Sequence, residues 1–86
     1  MSSIYIIVEN GEAYLDAYPS YKAAVAAVKA RNREEIERQI HEVQCLDMVE
    51  EILSHINVAE SADGKTQLYI EKGINIYVHR MSINFT

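Results

Sequence analysis

Residues that crosslink a chain or carry it through a membrane are scarce in this sequence. Its single cysteine, Cys45, has no second thiol with which to form an internal disulfide, so nothing points to an oxidising compartment. The longest apolar run near the N-terminus, Ile4–Val8, is too short for a signal-peptide core or a membrane span, and no basic segment precedes it. We therefore expect a soluble, cytoplasmic protein that does not associate with membranes.

Positive charge is also in short supply. The chain has 13 acidic and 8 basic residues and a net charge of −5, whereas a protein that binds nucleic-acid phosphates needs a basic surface. The one basic cluster, Lys29–Arg38, contains three glutamates, Glu34, Glu35 and Glu37. The charge balance argues against nucleic acid as a partner.

Residues that interrupt secondary structure are few. The chain has three glycines and one proline in 86 residues, with 49% hydrophobic and 24% charged residues. This is the composition of an ordered globular chain and not of a disordered one. A chain this short holds one hydrophobic core, so we expect a single domain that spans residues 1–86.

The N-terminal third of the chain predicts a β-hairpin followed by a helix. Ile4–Val8 is β-branched or aromatic throughout, and the Asn-Gly pair that follows it is a strong signal for a hairpin turn. A short second strand, Ala13–Tyr18, would end at Pro19. The helix then begins either with Ser20 as its N-cap or slightly earlier, with Pro19 in its first position.

The middle of the chain predicts helix with a change of direction. A first apolar stripe keeps helical spacing as far as Val43 and is interrupted by Asn32. The apolar residues after Val43 lie about half a turn away from that stripe. This shift predicts a bend, a break or a second packing partner between Val43 and Asp47. Because no glycine or proline marks a break, a continuous bent helix is the favoured form.

The C-terminal third predicts a second hairpin. Thr66–Glu71 and Ile74–His79 both alternate apolar and polar residues. The apolar residues of both strands are even-numbered, so they share one face of the sheet only if the numbers of two paired residues add up to an even value. Pairing Tyr69 with Tyr77 meets this condition and leaves a loop of three residues. Before Arg80 the apolar residues of this strand are even-numbered, and after it they are odd-numbered. This change of parity predicts a bulge near Arg80 or a strand that leaves the sheet there.

These elements together predict an α+β fold. The two hairpins would form an antiparallel sheet, and one long or bent helix would pack on one of its faces. In chain order this is β-β-α-β-β, with Asn57–Glu60 as a possible extra strand.

Residue patterns that support catalysis or metal binding are weak. His41 and Cys45 have a spacing that could place a base beside a nucleophile on one helix, but a solvated histidine and a small buried thiol are the simpler interpretation. A metal site needs three or four converging ligands, whereas His41, His55 and His79 are dispersed. No glycine-rich loop could hold a phosphate. We expect no catalytic, metal-binding or cofactor-binding residues and no cofactor.

Tyrosine is the unusual feature of the composition, with six Tyr against one Phe and no Trp. By strand parity, Tyr5, Tyr69, Tyr77 and His79 share the sheet face opposite the aliphatic residues of the same strands. A cross-strand tyrosine pair stabilises a hairpin, and exposed tyrosines are also enriched in protein interfaces. We take Tyr5, Tyr69, Tyr77 and His79 as candidate partner-binding residues.

The second helical stripe points to self-association. Together with the two-faced strand Ile4–Val8, it offers more apolar surface than one helix on one sheet needs. A small chain with a thin core often gains stability by forming a symmetric dimer. We therefore take Val49, Ile52, Leu53 and Ile56 as the candidate surface of a homodimer. The alternative is that the bent helix buries both stripes.

Three stretches of the chain carry a resemblance. Ile6–Tyr14, Tyr18–Ala30 and Leu68–Met81 contain an Asn-Gly hairpin, a Tyr-rich helix entry and a Tyr-containing hairpin. In these features the chain resembles small uncharacterised proteins encoded by large DNA viruses of algae and protists. The resemblance implies a viral protein that works in the host cytosol. It implies no activity and transfers no functional residues.

The sequence as a whole favours a small non-enzymatic module for protein–protein interaction, with a host or viral partner in the cytosol. An alternative is a small-molecule or nucleotide-binding protein, or a minimal enzyme, that uses the same Tyr-rich face. A deep pocket lined by Tyr and His would support that class. A third hypothesis is nucleic-acid binding through Lys29–Arg38, which salt-dependent retention on DNA or RNA would support.

Overall fold

The computed structural model describes residues 2–43, 45–71 and 73–83. Within these ranges the elements in chain order are β1 (Ser2–Glu9), β2 (Glu12–Ala13), α1 (Tyr21–Arg31), α2 (Arg33–Glu42), α3 (Leu46–Ser54), β3 (Lys65–Ile70) and β4 (Ile74–Ile83). The strands form one antiparallel sheet in the order β2-β1-β4-β3. The predicted α+β fold, with helix between two hairpins, is confirmed.

The first and last strands of the chain form the centre of the sheet. β1 and β4 pair antiparallel over eight residue pairs, from Ser2 opposite Ile83 to Glu9 opposite Ile76. Both strands are rich in β-branched residues, which suit a strand with neighbours on both sides. The helices between the hairpins return the chain from β2 at one edge of the sheet to β3 at the other.

The first hairpin turns at Asn10 and Gly11, as predicted. Their φ angles of 49° and 84° are both positive, as a type I′ turn requires. The second strand is shorter than predicted, because β2 has two residues. The chain is irregular over residues 14–17 before Tyr18 pairs with Tyr5, and Leu15 in this segment is fully exposed.

The second hairpin has the predicted loop length but a different register. Tyr69 lies opposite Asn75 and not opposite Tyr77, so the pairing is shifted by two residues. The shift puts Gly73, with a φ of 88°, in the last loop position, where a three-residue loop favours a left-handed residue. It also moves Ile74 out of the loop into β4, where it packs against the core. Because the shift is even, every side chain keeps its predicted face.

β4 continues past Arg80 without the predicted bulge. Its register with β1 is unbroken as far as Ile83. The apolar positions change parity because Met81 and Ile83 lie on the same side of the sheet as Ile4, which is the side away from the helices. Asn57–Glu60, the predicted extra strand, is irregular and joins no strand of the sheet.

The helical segment is interrupted in two places. Between Val43 and Asp47 the predicted change of direction is confirmed as a break, since Val43 and Cys45 are extended, with ψ angles of 137° and 127°. The continuous bent helix favoured by the sequence is therefore wrong. A second interruption separates α1 from α2 at Asn32, whose φ of −105° and ψ of 19° depart from helical values.

The helices cover one face of the sheet and bury a thin core. Each residue of β1 lies opposite a residue of β4 on the same face of the sheet, as Ile7 does with Val78. β1 therefore contributes its odd-numbered residues to the face that the helices cover, and β4 contributes its even-numbered residues. We call this side the core face and the opposite side the open face. The large aliphatic side chains buried in the core include Ile7, Leu68, Ile70, Ile76 and Val78 from the sheet and Val28, Ile52 and Ile56 from the helical segment.

Candidate protein-binding surface

The open face is built from alternate residues of the four strands. None of its described side chains is buried, and Met81 keeps 49% of its surface exposed. No other part of the described chain therefore covers the centre of this side of the sheet. Its twelve described residues are Ile4, Ile6 and Val8 of β1, Ala13 of β2, Lys65, Gln67 and Tyr69 of β3, and Asn75, Tyr77, His79, Met81 and Ile83 of β4.

Apolar side chains occupy the middle of the open face and polar ones its β3 edge. Lys65 and Gln67 at that edge are exposed. An apolar centre with a polar margin is the usual layout of a protein interface. Directly opposite one another across the two central strands lie Ile4 with Met81, Ile6 with His79, and Val8 with Tyr77.

Formal charge is nearly missing from the open face. Among its twelve described side chains Lys65 alone carries one, although charged residues make up 24% of the chain. The Lys65 ammonium lies 5.3 Å from the centre of the Tyr77 ring, within range of cation–π attraction. A sheet face that stays in water normally carries polar side chains, and this face does not follow that pattern.

Tyr69, Tyr77 and His79 lie on the open face, as predicted. The rings of Tyr77 and His79 are 6.3 Å apart. Tyr69 does not form the predicted cross-strand pair with Tyr77. Its ring meets His55 edge-on at 6.0 Å, and its hydroxyl accepts a hydrogen bond from the N–H of Gly73 at 3.3 Å. Tyr69 therefore supports the hairpin loop, while Tyr77 and His79 belong to the central patch.

Tyr5 does not belong to this surface, which corrects the prediction. It is 9% exposed and lies on the core face, where its hydroxyl donates to a Glu60 carboxylate oxygen at 3.0 Å and its ring meets Tyr21 edge-on at 6.3 Å. Burial and the Glu60 carboxylate raise the pKa of Tyr5. The error has a physical cause, because β1 is apolar on both sides and its pattern does not say which side meets the helices.

Two residues of the candidate homodimer surface belong to the core. Ile52 and Ile56 are 3% and 0% exposed within the single chain, which corrects their assignment to a surface for a second copy. Val49 and Leu53, on the same stripe, are half-buried. For Ile52 and Ile56 the alternative interpretation is correct, since the single chain itself buries these two residues of the second stripe.

Sequence reasoning missed the aliphatic half of the open face. The parity argument assigns Ile4, Ile6 and Val8 to the core, whereas the structure places them on the open face. The signal that identifies them is the parity change after Arg80. Met81 falls on the open face opposite Ile4, so the change marks a second apolar side of the sheet and not a bulge.

A separate polar cluster joins the first hairpin to the helices. Glu9 accepts hydrogen bonds from the Tyr14 hydroxyl at 2.7 Å and the Asn32 amide at 2.8 Å, and the Arg31 guanidinium lies 4.4 Å from the centre of the Tyr14 ring. Burial, followed by the Glu9 carboxylate, raises the pKa of Tyr14 well above its usual range. The phenol therefore stays protonated as a donor, and the cluster acts as a structural joint.

The possible pair of His41 and Cys45 is not assembled. α2 ends and α3 begins on either side of the break, so the two residues do not share a helix face. Cys45 is exposed, which corrects its interpretation as a small buried thiol. In the ranges that the structure describes, no three His, Cys, Asp or Glu side chains converge as a metal site requires.

The grooves formed by the described residues lie on the helical side of the molecule. One of about 540 Å³ lies at the junction of α1 and α2, within the basic cluster Lys29–Arg38 and its glutamates. One of about 480 Å³ runs between α1 and residues 57–59, and one of about 210 Å³ lies where α1 and α2 meet the end of α3. None of these grooves includes an open-face residue. Each helix in the described part of the chain is too short or too polar to cross a membrane.

No family model, curated protein or solved structure matches this chain. The functional argument therefore rests on the open face and on the residues that surround it.

Proposed function

We propose that this protein is a non-enzymatic protein-binding module and that the open face is its contact surface. The observation that carries the proposal is the composition of that face, with aliphatic and aromatic side chains at the centre and a single formal charge at the margin. Depletion of charge and enrichment in Tyr and Met are typical of the centre of protein interfaces. A contiguous apolar patch of this kind on a small protein marks a surface that a partner covers.

The shape of the open face favours a protein over a small ligand. Small-molecule sites are concave, whereas this surface is one side of a sheet and the grooves lie behind it. The polar cluster around Glu9 gives little support to a minimal enzyme, because its donors and acceptors already bind one another. The resemblance to viral proteins would place the partner, host or viral, in the cytosol of an infected cell.

The test compares protein capture by variants of the immobilised chain. The lysate contains host proteins together with an untagged copy of the chain. Tyr77→Thr removes an aromatic ring from the open face, and Leu46→Thr, at a 72% exposed position on α3, is the matched control. We expect proteins retained by the wild type and the control to be lost from Tyr77→Thr, with unchanged circular dichroism. Equal retention by all three proteins would overturn the proposal.

A further inference from the structure

The molecule exposes more surface than a compact monomer of its mass. Its accessible area is 5905 Å², whereas a compact protein of 9.8 kDa is expected to expose about 5,200 Å². The radius of gyration of 14.0 Å likewise exceeds the value of about 12 Å expected for this length. The molecule measures 54 × 24 × 18 Å, so the excess of about 700 Å² reflects an elongated shape together with a sheet that has one side uncovered.

The open face is large enough to form most of one side of a small interface. Its two central strands pair over eight residues, which corresponds to a length of about 27 Å. β3 lies beside them over six residues and β2 over two, so the width is about 14–19 Å where all four strands meet and smaller where Ile4 lies opposite Met81. Side chains that stand on such a surface expose more area than its flat projection. The face therefore approaches the roughly 600–1,000 Å² that each partner buries in a standard interface.

The charge of the molecule restricts what can cover this face. The chain carries a net charge of −5, so two copies repel one another over most of their surfaces. The open face is the exception, since its described side chains include no carboxylate and one cation, Lys65, at the margin. It offers almost no charge with which to pair a charged partner. Its natural complement is an equally uncharged apolar face, and a second copy supplies one.

We propose that the partner of the open face is a second copy of this chain, an inference that rests on the proposed function. The two sheets pack face to face about a two-fold axis, in a sandwich whose sheets cross at about −30°. Ile6, Val8 and Tyr77 meet their counterparts in the centre, and Lys65 stays solvated at the rim. The dimer has helices on both outer sides and a new apolar layer between its two sheets.

The first measurement is mass in solution by sedimentation equilibrium, from low micromolar to near-millimolar protein. We expect the wild type to reach twice 9.8 kDa. Ile6→Lys places a charge in the centre of the interface and should raise the dimer dissociation constant at least about thirtyfold. Gln67→Lys adds the same charge at the margin and should raise it less than about fivefold.

The second measurement locates the interface without any substitution. Met81 on the open face and Met48 on α3 are 49% and 51% exposed in the single chain, which makes them a matched pair. Under mild peroxide oxidation of the wild-type dimer, mass spectrometry should show Met81 protected and Met48 oxidised. On dilution to the monomer the two rates should converge. This result does not depend on whether the Ile6→Lys chain folds.

The outcomes separate this inference from the proposed function. A wild type that stays at monomer mass at every concentration overturns the second-copy inference. In that case the capture experiment decides the proposed function: loss of captured proteins from Tyr77→Thr supports it, and equal capture overturns it. A dimer in which Met81 and Met48 oxidise equally, or in which Gln67→Lys dissociates as readily as Ile6→Lys, uses another surface and also overturns the inference.

Discussion

Ile6 and Ile7 are the same residue type, adjacent in the same strand, and their surroundings differ completely. Ile7 points to the core face and has 0% exposure, whereas Ile6 points to the open face and is half-buried. The helices explain the first isoleucine, and nothing in the described part of the chain explains the second. The comparison teaches that this sheet is apolar on both sides although folding accounts for one side only, and the proposed function assigns the other side to contact with a partner.

The polar groups of the two faces differ in the same way. On the core face the Tyr5 hydroxyl and the Arg80 guanidinium both donate to Glu60, at 3.0 Å and 2.8 Å, so the polar atoms at that end of the face are paired internally. On the open face Tyr77 meets Lys65 through its ring, and no described residue accepts a hydrogen bond from its hydroxyl. Paired groups suit a closed surface, and available groups suit one that meets another molecule.

The largest expected effect contrasts the two neighbouring isoleucines. Ile7→Ala leaves a cavity in the core and should lower the free energy of unfolding by about 2–5 kcal/mol. Ile6→Ala should lower it by less than about 1 kcal/mol in the single chain, where the side chain is only half covered. Urea unfolding at a protein concentration low enough to keep the chain monomeric measures both losses. Equal losses would mean that the two faces do not differ.

Tyr14→Phe tests the joint that ties the first hairpin to the helices. The substitution removes a hydrogen bond of 2.7 Å to Glu9 and leaves a part-buried carboxylate with one fewer donor. The free energy of unfolding should fall by about 1–3 kcal/mol near neutral pH. Tyr77→Phe, on the open face, removes a hydroxyl without such a partner and serves as the control. A similar loss in both variants would contradict the assignment of Tyr14 to the joint.

The same tyrosines predict how stability changes at high pH. The pKa values of Tyr5, Tyr14 and Tyr21 are raised, mainly by burial, whereas tyrosines of the unfolded chain ionise at about pH 10. The folded state therefore holds these protons more tightly. The free energy of unfolding should be unaffected by them below about pH 10 and should fall as the pH rises further. Tyr14→Phe should make that fall less steep in urea titrations at increasing pH.

Ser20→Ala tests the layer that covers the core face. The prediction that Ser20 caps the first helix is confirmed, because its side-chain oxygen accepts a hydrogen bond from the N–H of Ala23 at 3.0 Å. Its removal should cost about 1 kcal/mol, whereas Ser20→Gly should cost only a few tenths. Thermal melts followed by circular dichroism measure both. If the alanine variant is as stable as the wild type, the cap is not what holds the start of the helix.

Tyr77→Thr should give only a small change in the stability of the single chain. Threonine keeps the β-propensity of the position, so the loss should stay below about 1 kcal/mol. A buried aromatic side chain would cost roughly 3–5 kcal/mol, and a loss of that size would place Tyr77 in a core. Urea unfolding of the monomer distinguishes these values, and the capture experiment then reports on binding.

Features that depend on neighbours in the sequence could be predicted. The Asn10-Gly11 turn follows from the positive φ that a short hairpin requires. The change of direction after Val43 follows from apolar residues that change sides of a helix, although the sequence did not show that the helix breaks there. The even-sum rule for the second hairpin also holds, because its two strands are adjacent in the chain and alternate clearly. In each case the physical cause acts over a few residues.

Features that depend on distant strands could not be predicted. The face of Tyr5 is set by its pairing with Arg80, more than seventy positions along the chain, and a register one residue different would reverse it. The two-faced apolar pattern of β1 removes the signal that usually decides such a register. The same ambiguity led to the wrong assignment of Ile6 to the core. A strand that is apolar on both sides is the case in which alternation carries least information.

The Asn10-Gly11 turn also determines how this protein ages chemically. In an Asn-Gly step the glycine nitrogen attacks the side-chain carbonyl of asparagine, ammonia leaves, and the resulting succinimide takes up water to give aspartate or isoaspartate. In the folded hairpin the Asn10 side-chain oxygen accepts a hydrogen bond from the N–H of Asn75 at 2.8 Å, which restrains the side chain from that attack. We therefore expect deamidation to require opening of the turn, so that its rate would report on that opening. Isoaspartate lengthens the backbone of the turn, so each molecule that has opened and reacted keeps a lasting record of it.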